Sequence, residues 1–302
     1  MRLIALLTAL FLAQPSQADT VEVSFNMGGL PRDFLLTIPD GLTGPAPLVL
    51  AVHGLLERHE SMRERVTLRR FDTIAERFGV VIAYPSAFGR VWNLGEGLGA
   101  QRLIPRRDDV AYLERVIDEV RARVAIDPAR IFSTGYSQGG LMSFALACKN
   151  PGLIRAVASV AMVLPEVLAE DCAKNPPQGV VLIHGTEDWV VPMAGGTIAS
   201  GPAASMPMMS FARSVDFFRR IKGCEDPGEI RFWDDKDDGT DVTRTAWYVC
   251  DDGGAVEGYR VEGMGHRWPS GGPLLPFSTV IGPTTEEIDG AAAVWGFFSR
   301  FQ

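Results

Sequence analysis

Cysteine and histidine are scarce in this sequence, with four residues of each among 302. The cysteines include no Cys-x-x-Cys pair, and the histidines do not cluster with them along the chain. Structural zinc sites use such closely spaced Cys and His ligands. A metal site is therefore the weaker interpretation of these residues, and we predict none.

Basic residues are also in the minority, because 29 Lys and Arg against 37 Asp and Glu give a net charge of −8. Binding to nucleic acid needs a clustered face of Lys and Arg that contacts phosphates. The one local excess of base, between residues 63 and 70, is interrupted by Glu64 and is typical of a solvated helix surface. We expect no nucleic-acid partner.

Long apolar runs are missing after the N-terminal segment, and a membrane-spanning helix needs roughly 20 such residues. The N-terminal segment has Arg2, an apolar run at residues 3–13 and small residues around Ser16 and Ala18. That order is typical of a signal peptide. We predict a signal peptide over residues 1–18 and a secreted or periplasmic mature chain, residues 19–302, without a membrane anchor.

Export would place the four cysteines in an oxidising compartment, where disulfides persist. Four cysteines allow three pairings, and the sequence alone does not select one of them. The two local pairs, Cys148 with Cys172 and Cys224 with Cys250, would each close a short loop and contribute about 3 kcal/mol. We expect two structural disulfides.

The apolar pattern predicts strands that alternate with helices. Continuous apolar runs, typical of strands buried on both faces of a parallel sheet, occur at residues 48–52, 80–83, 131–133, 156–160 and 180–183. Apolar residues spaced by three and four predict helices at residues 110–124 and 211–218. This alternation predicts an α/β fold with a mainly parallel sheet, formed by residues 19–302 as one domain.

Three further elements are expected outside this alternating region. Residues 21–38 alternate with period two around a Gly-Gly turn and predict a β-hairpin. Residues 229–261 combine strand-like runs with Asp-rich turns, which favours an antiparallel edge or hairpin. Thr284, followed by Glu287, has the spacing of a capping box and predicts the start of a last helix.

One short motif indicates the chemistry. Residues 135–139 read Gly-Tyr-Ser-Gln-Gly, which matches G-x-S-x-G and lies between a predicted strand and a helical run. In that context the motif forms a sharp turn that presents the central hydroxyl at the edge of the sheet. We predict that Ser137 is a catalytic nucleophile. The alternative, a plain glycine-rich turn, is disfavoured by the flanking strand and helix.

A serine nucleophile needs a base, and the base needs an acid that orients it. In α/β-hydrolases these follow in the order Ser, acid, His. Asp188 lies just after a predicted strand and is the expected acid, with Glu187 as its local competitor and a turn-capping role as the alternative. His266 is the only histidine after Asp188, so we predict that it is the base.

Hydrogen-bond donors must also hold the negative oxygen that develops during attack. We predict that the backbone N–H groups of Leu55 and Gln138 form this oxyanion hole, because they follow the first buried strand and the nucleophile. His53 and His184 are expected to be buried and hydrogen-bonded, whereas His59 lies among charges and is expected to be exposed.

Tryptophans on predicted loops are the candidate substrate-binding residues. Trp92, Trp189 and Trp268 lie near the ends of predicted strands, where they would stack on an aromatic acyl group or a sugar. Packing of the loops is an equally good interpretation. The Met-rich residues 193–209 form either a mobile wall of the pocket or a surface loop.

Several short motifs share one order with a known family. They are His53-Gly54, Tyr84-Pro85, Trp92-Asn93, the Gly-Tyr-Ser-Gln-Gly-Gly at 135–140, Asp188 with Val191-Pro192, Gly195-Gly196 and His266-Arg267-Trp268-Pro269. Over about residues 34–300 the chain resembles the secreted esterases of the polyhydroxybutyrate depolymerase and feruloyl/acetylxylan esterase group.

The resemblance implies an α/β-hydrolase fold with helices on both faces of the sheet, and no metal or cofactor. It also implies that the triad is Ser137, Asp188 and His266, and that Cys224 pairs with Cys250. After His53-Gly54 the family usually has small residues, whereas this chain continues with Leu-Leu-Glu-Arg at 55–58, so a different acyl pocket is expected.

The expected activity is that of a secreted serine esterase that forms an acyl-enzyme. Its substrates would be small, oligomeric or polymeric esters: hydroxyalkanoate oligomers or polyesters, or feruloyl and acetyl esters of plant polysaccharide. One alternative is a serine peptidase of the same fold, although the sequence offers no clear site for a peptide amine. Another is a non-catalytic carbohydrate-binding homologue, a class that usually lacks a member of the triad.

Overall fold

The computed structural model describes residues 19–94, 107–198, 206–225, 228–274 and 281–301. The predicted signal peptide, residues 1–18, lies outside these ranges. None of the helices that they contain combines the length and the apolar character needed to cross a membrane.

Strands and helices alternate along most of the chain. The strands are β1 (Asp19–Met27), β2 (Leu30–Ile38), β3 (Ala46–Val52), β4 (Val81–Pro85), β5 (Ile126–Tyr136), β6 (Ala156–Val160), β7 (Gly179–Gly185), β8 (Gly196–Thr197), β9 (Pro207–Met208), β10 (Glu229–Trp233), β11 (Asp241–Trp247) and β12 (Ala255–Glu262). The helices are α1 (Arg70–Phe78), α2 (Asp109–Arg121), α3 (Gln138–Lys149), α4 (Ala169–Lys174), α5 (Phe211–Ile221) and α6 (Gly290–Phe298). Short π- and 3₁₀-helical segments occur at Ser61–Val66, Phe88–Arg90, Glu166–Leu168 and Ser299–Phe301.

Ten of the described strands form one sheet in the order β1-β2-β4-β3-β5-β6-β7-β12-β11-β10. The central strands β4, β3, β5, β6, β7 and β12 run parallel. The hairpin β1–β2 and the pair β10–β11 extend the sheet in antiparallel fashion at its two ends. The predicted parallel sheet, the N-terminal hairpin and the antiparallel region after residue 229 are confirmed.

Helices cover both faces of the sheet, as expected. In β3, Leu48, Leu50 and Val52 point to one apolar cluster, which contains the buried faces of α2, α3 and α5. Val49 and Ala51 alternate with them and join the opposite cluster, with α1 and α6. All seven residues of β3 are buried, which explains why this strand reads as a continuous apolar run.

Two disulfides are formed, one between helices α3 and α4 and one between the end of α5 and the connection from β11 to β12. Cys148 at the end of α3 bonds to Cys172 in α4, and Cys224 after α5 bonds to Cys250 between β11 and β12. These are the two local pairings. Each closes a loop with a sequence separation of 24 or 26 residues, a size at which a disulfide stabilises a fold by about 3 kcal/mol.

The last helix is present, but its predicted start at Thr284 was wrong. Helix α6 begins at Gly290, and the Asp289 carboxylate caps it by accepting hydrogen bonds from the N–H groups of Ala291 and Ala292. Thr284 cannot serve as the cap because its hydroxyl donates to the carbonyl oxygen of Trp268, at 2.6 Å. Glu287 instead accepts a hydrogen bond from the N–H of Asp235, at 2.8 Å.

The prediction that His59 is exposed was also wrong, because this side chain is fully buried. Its Nε2 lies 2.7 Å from Oδ2 of Asp33 on β2, and its Nδ1 lies 2.9 Å from Oε2 of Glu60. His59 is therefore enclosed between two carboxylates, of which Asp33 hydrogen-bonds to it, and does not lie on a solvated surface.

Candidate active site

The loops after β5, β7 and β12 meet at one edge of the sheet. These strands are parallel, and β5, β6, β7 and β12 are consecutive neighbours. Their carboxyl ends therefore open on the same side, which is where α/β proteins place their ligands. Ser137 follows β5, Asp188 lies after β7, and His266 lies after β12.

Ser137 occupies a strained turn between β5 and α3. Its φ is 54° and its ψ is −121°, a region that residues with a Cβ rarely adopt. Its N–H donates to the carbonyl oxygen of Val160 on β6, at 2.8 Å. The turn requires the two motif glycines, since a Cβ on Gly135 would lie 2.2 Å from the backbone of Gly139 and one on Gly139 would lie 2.1 Å from the carbonyl oxygen of Val52.

The three predicted side chains are joined by two short contacts. Nε2 of His266 lies 2.8 Å from Oγ of Ser137, and Nδ1 of His266 lies 2.7 Å from Oδ2 of Asp188. A carboxylate can only accept, so Nδ1–H donates to Asp188 and leaves Nε2 as an acceptor for the Ser137 hydroxyl. The arrangement can remove a proton from Ser137.

Asp188 is held independently of the histidine. Its Oδ1 accepts hydrogen bonds from the N–H groups of Val190 at 3.0 Å and Val191 at 2.8 Å, which orients Oδ2 toward His266. Asp188 is buried, whereas Glu187, the competing acid in the sequence, is exposed. The structure therefore brings Asp188, and not Glu187, to the imidazole.

His184 packs under the same acid. It is fully buried, and its Nε2 donates to the carbonyl oxygen of Val191 at 2.8 Å, with Oδ2 of Asp188 at 3.5 Å. Burial lowers the pKa of His184, against the opposing pull of the Asp188 charge. His184 is buried and hydrogen-bonded, as expected.

The loop after β3 presents the first predicted oxyanion donor. The N–H of Ala87 donates to Nε2 of His53 at 2.9 Å, so the proton of this imidazole is on Nδ1, which donates to the carbonyl oxygen of Gly54 at 2.6 Å. Burial lowers the pKa of His53 to about 3, so the ring stays neutral in ordinary solution conditions. The loop is further tied to its neighbour by the Leu56 N–H, which donates to the Arg90 carbonyl oxygen at 2.9 Å.

The N–H groups of Leu55 and Gln138 are both available to a ligand. Within the described part of the chain, the Leu55 N–H has no acceptor. Gln138 is the first residue of α3, where a backbone N–H has no acceptor inside the helix. The side chain of Gln138 is held by Trp92, because the backbone N–H of Trp92 donates to Oε1 of Gln138 at 3.1 Å.

The three tryptophans do not share one environment. Trp92 is 3% exposed, and its Nε1 donates to the carbonyl oxygen of His53 at 2.9 Å. Trp268 is 1% exposed and packs edge-on against Phe71. Both support loops from beneath, which corrects their assignment as substrate-contacting residues. Trp189, beside Asp188, is 52% exposed and is the one of the three that a substrate can reach.

The Met-rich segment is described only in part, because residues 199–205 lie outside the described ranges. Met206, Met208 and Met209 are buried in the large apolar cluster on the α3 face. These three methionines are thus part of the core and do not form an exposed wall.

Glu57 is a site residue that the sequence did not identify. It lies two residues after Leu55 in the loop that follows β3, here called the oxyanion loop (residues 53–57). In the sequence it was noted only because similar proteins usually have small residues there. Its Oε2 accepts a hydrogen bond from the Gly54 N–H at 2.9 Å. A groove of about 400 Å³ borders it, with Leu56, Arg65 and Arg90 among its walls.

One group of potential metal ligands lies away from these loops. Glu22, Asp33 and His59 bring three ligand atoms within 4.8 Å of one another, in the part of the chain that the structure describes. Oδ2 of Asp33 is also 2.7 Å from Nη2 of Arg58. The guanidinium group already supplies positive charge at this carboxylate, so the cluster is explained as an ion-pair network.

Comparison with known proteins identifies relatives with esterase names. Residues 105–205 match the Phospholipase/Carboxylesterase family. The chain is 30% identical over 272 residues to a protein named "Putative esterase NocK" from Nocardia uniformis, covering 84% of this chain and 73% of that protein. It is 27% identical to Feruloyl esterase D of Neurospora crassa, covering 95% of this chain and 88% of the relative.

A solved structure shares the fold over nearly the whole chain. The acetyl xylan esterase from Aspergillus awamori superposes with a TM-score of 0.61 at 14% sequence identity, covering 94% of this chain and all of that one. At this identity the similarity shows a common fold.

Proposed function

Because the chain belongs to the feruloyl and acetylxylan esterase group of the α/β-hydrolases and is a carboxylic ester hydrolase, we propose that Ser137, His266 and Asp188 are its catalytic triad. The observation that carries this proposal is the continuous chain of contacts from Oγ of Ser137 through His266 to Asp188, at 2.8 and 2.7 Å. Each side chain is supplied by a different loop. Further hydrogen bonds hold the backbones of Ser137 and His266 and the carboxylate of Asp188.

In the first half of the reaction, Oγ of Ser137 attacks the ester carbonyl carbon while Nε2 of His266 accepts the hydroxyl proton. Asp188 holds the imidazole in the tautomer that makes Nε2 an acceptor and stabilises the imidazolium. The N–H groups of Leu55 and Gln138 bind the negative oxygen of the tetrahedral intermediate. The imidazolium then gives its proton to the leaving alkoxide, which departs as the alcohol and leaves an acyl-serine.

The second half repeats these steps with water. His266 accepts a proton from water, the hydroxide attacks the acyl-serine, and the same two N–H groups bind the new oxyanion. Collapse of this intermediate returns the proton to Oγ of Ser137 and releases the carboxylic acid.

We propose feruloyl or acetyl esters of plant polysaccharide as the first substrates to test, since relatives carry the names feruloyl esterase and acetyl xylan esterase. Hydroxyalkanoate oligomers remain the competing ester class. We propose that Trp189, which is 52% exposed beside Asp188, contacts the aromatic acyl group or the sugar. The two disulfides favour an exported protein, which we propose is secreted or periplasmic and folds as one catalytic domain.

The decisive experiment compares Ser137→Ala with the wild-type protein on methyl ferulate, acetylated xylan, hydroxybutyrate oligomers and p-nitrophenyl acetate. We expect loss of nearly all turnover, by about a millionfold, with an unchanged circular dichroism spectrum. Ser24→Ala, at an exposed position on β1, is the matched control and should hydrolyse esters at the wild-type rate.

A serine-directed phosphonate should label the wild-type protein and not Ser137→Ala. Ester hydrolysis by a folded Ser137→Ala protein would refute the proposed triad. Cleavage of peptide p-nitroanilides faster than of all the esters would instead indicate a peptidase.

A further inference from the structure

We propose that Glu57 is a positioning residue that fixes the oxyanion hole through the backbone of Gly54. The inference rests on the proposed function, because it assigns the Leu55 N–H as an oxyanion donor. The Glu57 carboxylate hydrogen-bonds to Gly54 and Ser61 rather than to the nucleophile or the base, so it would act through the loop.

The carboxylate closes a small ring with the start of the loop. Oε2 of Glu57 accepts from the Gly54 N–H at 2.9 Å, and the Glu57 N–H donates to the Gly54 carbonyl oxygen at 3.3 Å. Oε1 is held from the other side by the hydroxyl of Ser61, at 3.2 Å. The Glu57 side chain thus spans from the short helical segment Ser61–Val66 to the oxyanion loop.

These contacts determine the direction of the Leu55 N–H. The Gly54 carbonyl and the Leu55 N–H belong to one planar peptide group and point in opposite directions. The carbonyl oxygen is held by Nδ1–H of His53 at 2.6 Å and by the Glu57 N–H. With the Gly54 N–H bound by the carboxylate, the peptide groups on both sides of this glycine are fixed.

Without the carboxylate, the N–H of Gly54 would lose its acceptor, and the conformation of this glycine would be less restrained. Glycine has a wider range of backbone conformations than any other residue, so an unrestrained glycine at this position would let the loop move. A larger residue is not a solution, because a Cβ on Gly54 would lie 3.0 Å from the Tyr136 ring and 3.1 Å from Oε2 of Glu57. The chain therefore combines a glycine with an external hydrogen-bond acceptor.

The carboxyl group is also close enough to the proposed base to be influenced by it. Burial raises the pKa of Glu57, while the hydrogen bonds from Gly54 and Ser61, the charge of Arg65 and the imidazolium that His266 becomes during the reaction oppose this effect. Placing an acid in such an enclosed position has a cost in solvation. The hydrogen bond that the carboxylate accepts from the Gly54 N–H offsets part of this cost.

The test compares Glu57→Ala, Glu57→Asp, Glu57→Gln and the control Glu64→Gln on p-nitrophenyl acetate. Glu57→Ala removes the acceptor, and Glu57→Asp withdraws it from the Gly54 N–H while keeping the charge. We expect kcat to fall by about 10- to 100-fold in both, because displacement of an oxyanion donor by ~1 Å has an effect of this size. KM should change little, since the oxyanion forms only after binding.

Glu57→Gln should regain most of the lost kcat. Its amide oxygen can accept from the Gly54 N–H, and its NH₂ group can donate to Ser61. Glu64→Gln is the matched control, because it changes an exposed carboxylate of the segment Ser61–Val66 that pairs with Arg69 and not with the loop. It should retain the wild-type kcat.

Thermal unfolding of every variant separates positioning from stability. A merely structural role predicts lower Tm with unchanged kcat in Glu57→Ala or Glu57→Asp, and that result would overturn the proposal. So would a Glu57→Gln protein as slow as Glu57→Asp. If Glu57→Ala does not fold, the Asp and Gln variants still decide. Since Ser137→Ala tests the proposed function separately, active Glu57 variants beside an inactive Ser137→Ala would refute only the role of Glu57.

Discussion

The hydroxyl of Tyr136 donates a 2.6 Å hydrogen bond to the main-chain carbonyl oxygen of His266, 130 positions further along the chain. The centroids of the two rings are 5.3 Å apart. Tyr136 is the last residue of β5 and immediately precedes Ser137. One side chain therefore connects the strand that carries the serine to the loop that carries the imidazole.

Replacing Tyr136 by Phe removes this bond and leaves a buried carbonyl oxygen without its donor. We expect the free energy of unfolding to decrease by about 1–3 kcal/mol. The value of kcat should fall by about tenfold, because His266 would lose part of its orientation. Urea unfolding and steady-state kinetics measure the two effects. Val249→Ala, at a residue that is 63% exposed, is the control for stability. A Tyr136→Phe protein with wild-type stability and wild-type kcat would contradict this account.

Replacing Asp188 by Asn tests the acid of the proposed triad. An amide can present its NH₂ group to Nδ1 of His266 and stabilise the wrong tautomer, so we expect kcat to fall by up to about 10⁴-fold. The adjacent Glu187 is exposed, and Glu187→Gln should keep the wild-type kcat. Equal losses in both variants would show that charge near the loop, rather than the contact at 2.7 Å, is what matters.

Replacing Gly139 by Ala tests the geometry of the serine turn. The added Cβ would lie 2.1 Å from the carbonyl oxygen of Val52, which belongs to rigid backbone in the sheet. We expect a loss of at least about 3 kcal/mol of stability, or no soluble protein. Gly44→Ala is the control, because a Cβ there meets no atom within 4 Å, and it should be neutral or stabilising by up to ~1 kcal/mol. A stable, active Gly139→Ala protein would mean that the turn can relax.

The stability of the protein should depend on pH through His53. Its pKa is about 3 in the folded state, against 6.5 for an ordinary histidine, so between these values the unfolded chain binds a proton that the folded one does not. The free energy of unfolding should therefore be highest above pH 6.5. It should decrease as the pH falls from 6.5 toward 3, by up to about 1.4 kcal/mol per pH unit.

The variant His53→Gln should show a shallower decrease when urea unfolding is followed at several pH values in this window. The buried His184, whose pKa is lowered too, should leave a residual slope of the same sign. Identical slopes in the wild type and the variant would exclude His53 as the titrating group.

Features of the sequence that act locally predicted the sheet and the serine turn well. A strand that is buried on both faces, such as β3, needs apolar residues at every position. Its burial is therefore visible as a continuous apolar run in its own sequence. The positions of Gly135 and Gly139 reflect backbone contacts within the turn itself and with the neighbouring strand β3. The chain order of serine, acid and histidine then selected Asp188 and His266, which lie in contact in the structure.

Features that depend on distant partners were not predictable in this way. His59 can be buried because it hydrogen-bonds to Asp33, which lies 26 positions earlier in the chain, on β2. Thr284 lost the role of cap to Asp289 because its hydroxyl donates to Trp268, and no local pattern records that contact. The role of Glu57 was missed for a similar reason, because a single carboxylate in a loop gives no sign that it will bind the Gly54 N–H.

Strand β12 is the last strand of the sheet along the chain, yet it lies between β7 and β11 rather than at an edge. A nascent polypeptide that ends shortly after Asp188 already contains the serine and the aspartate of the proposed triad, but it lacks His266. Under the proposed mechanism, hydrolytic competence arises in one step, when β12 inserts next to β7. Translation products that end before residue 266 lack the proposed base and should therefore be inert toward cellular esters.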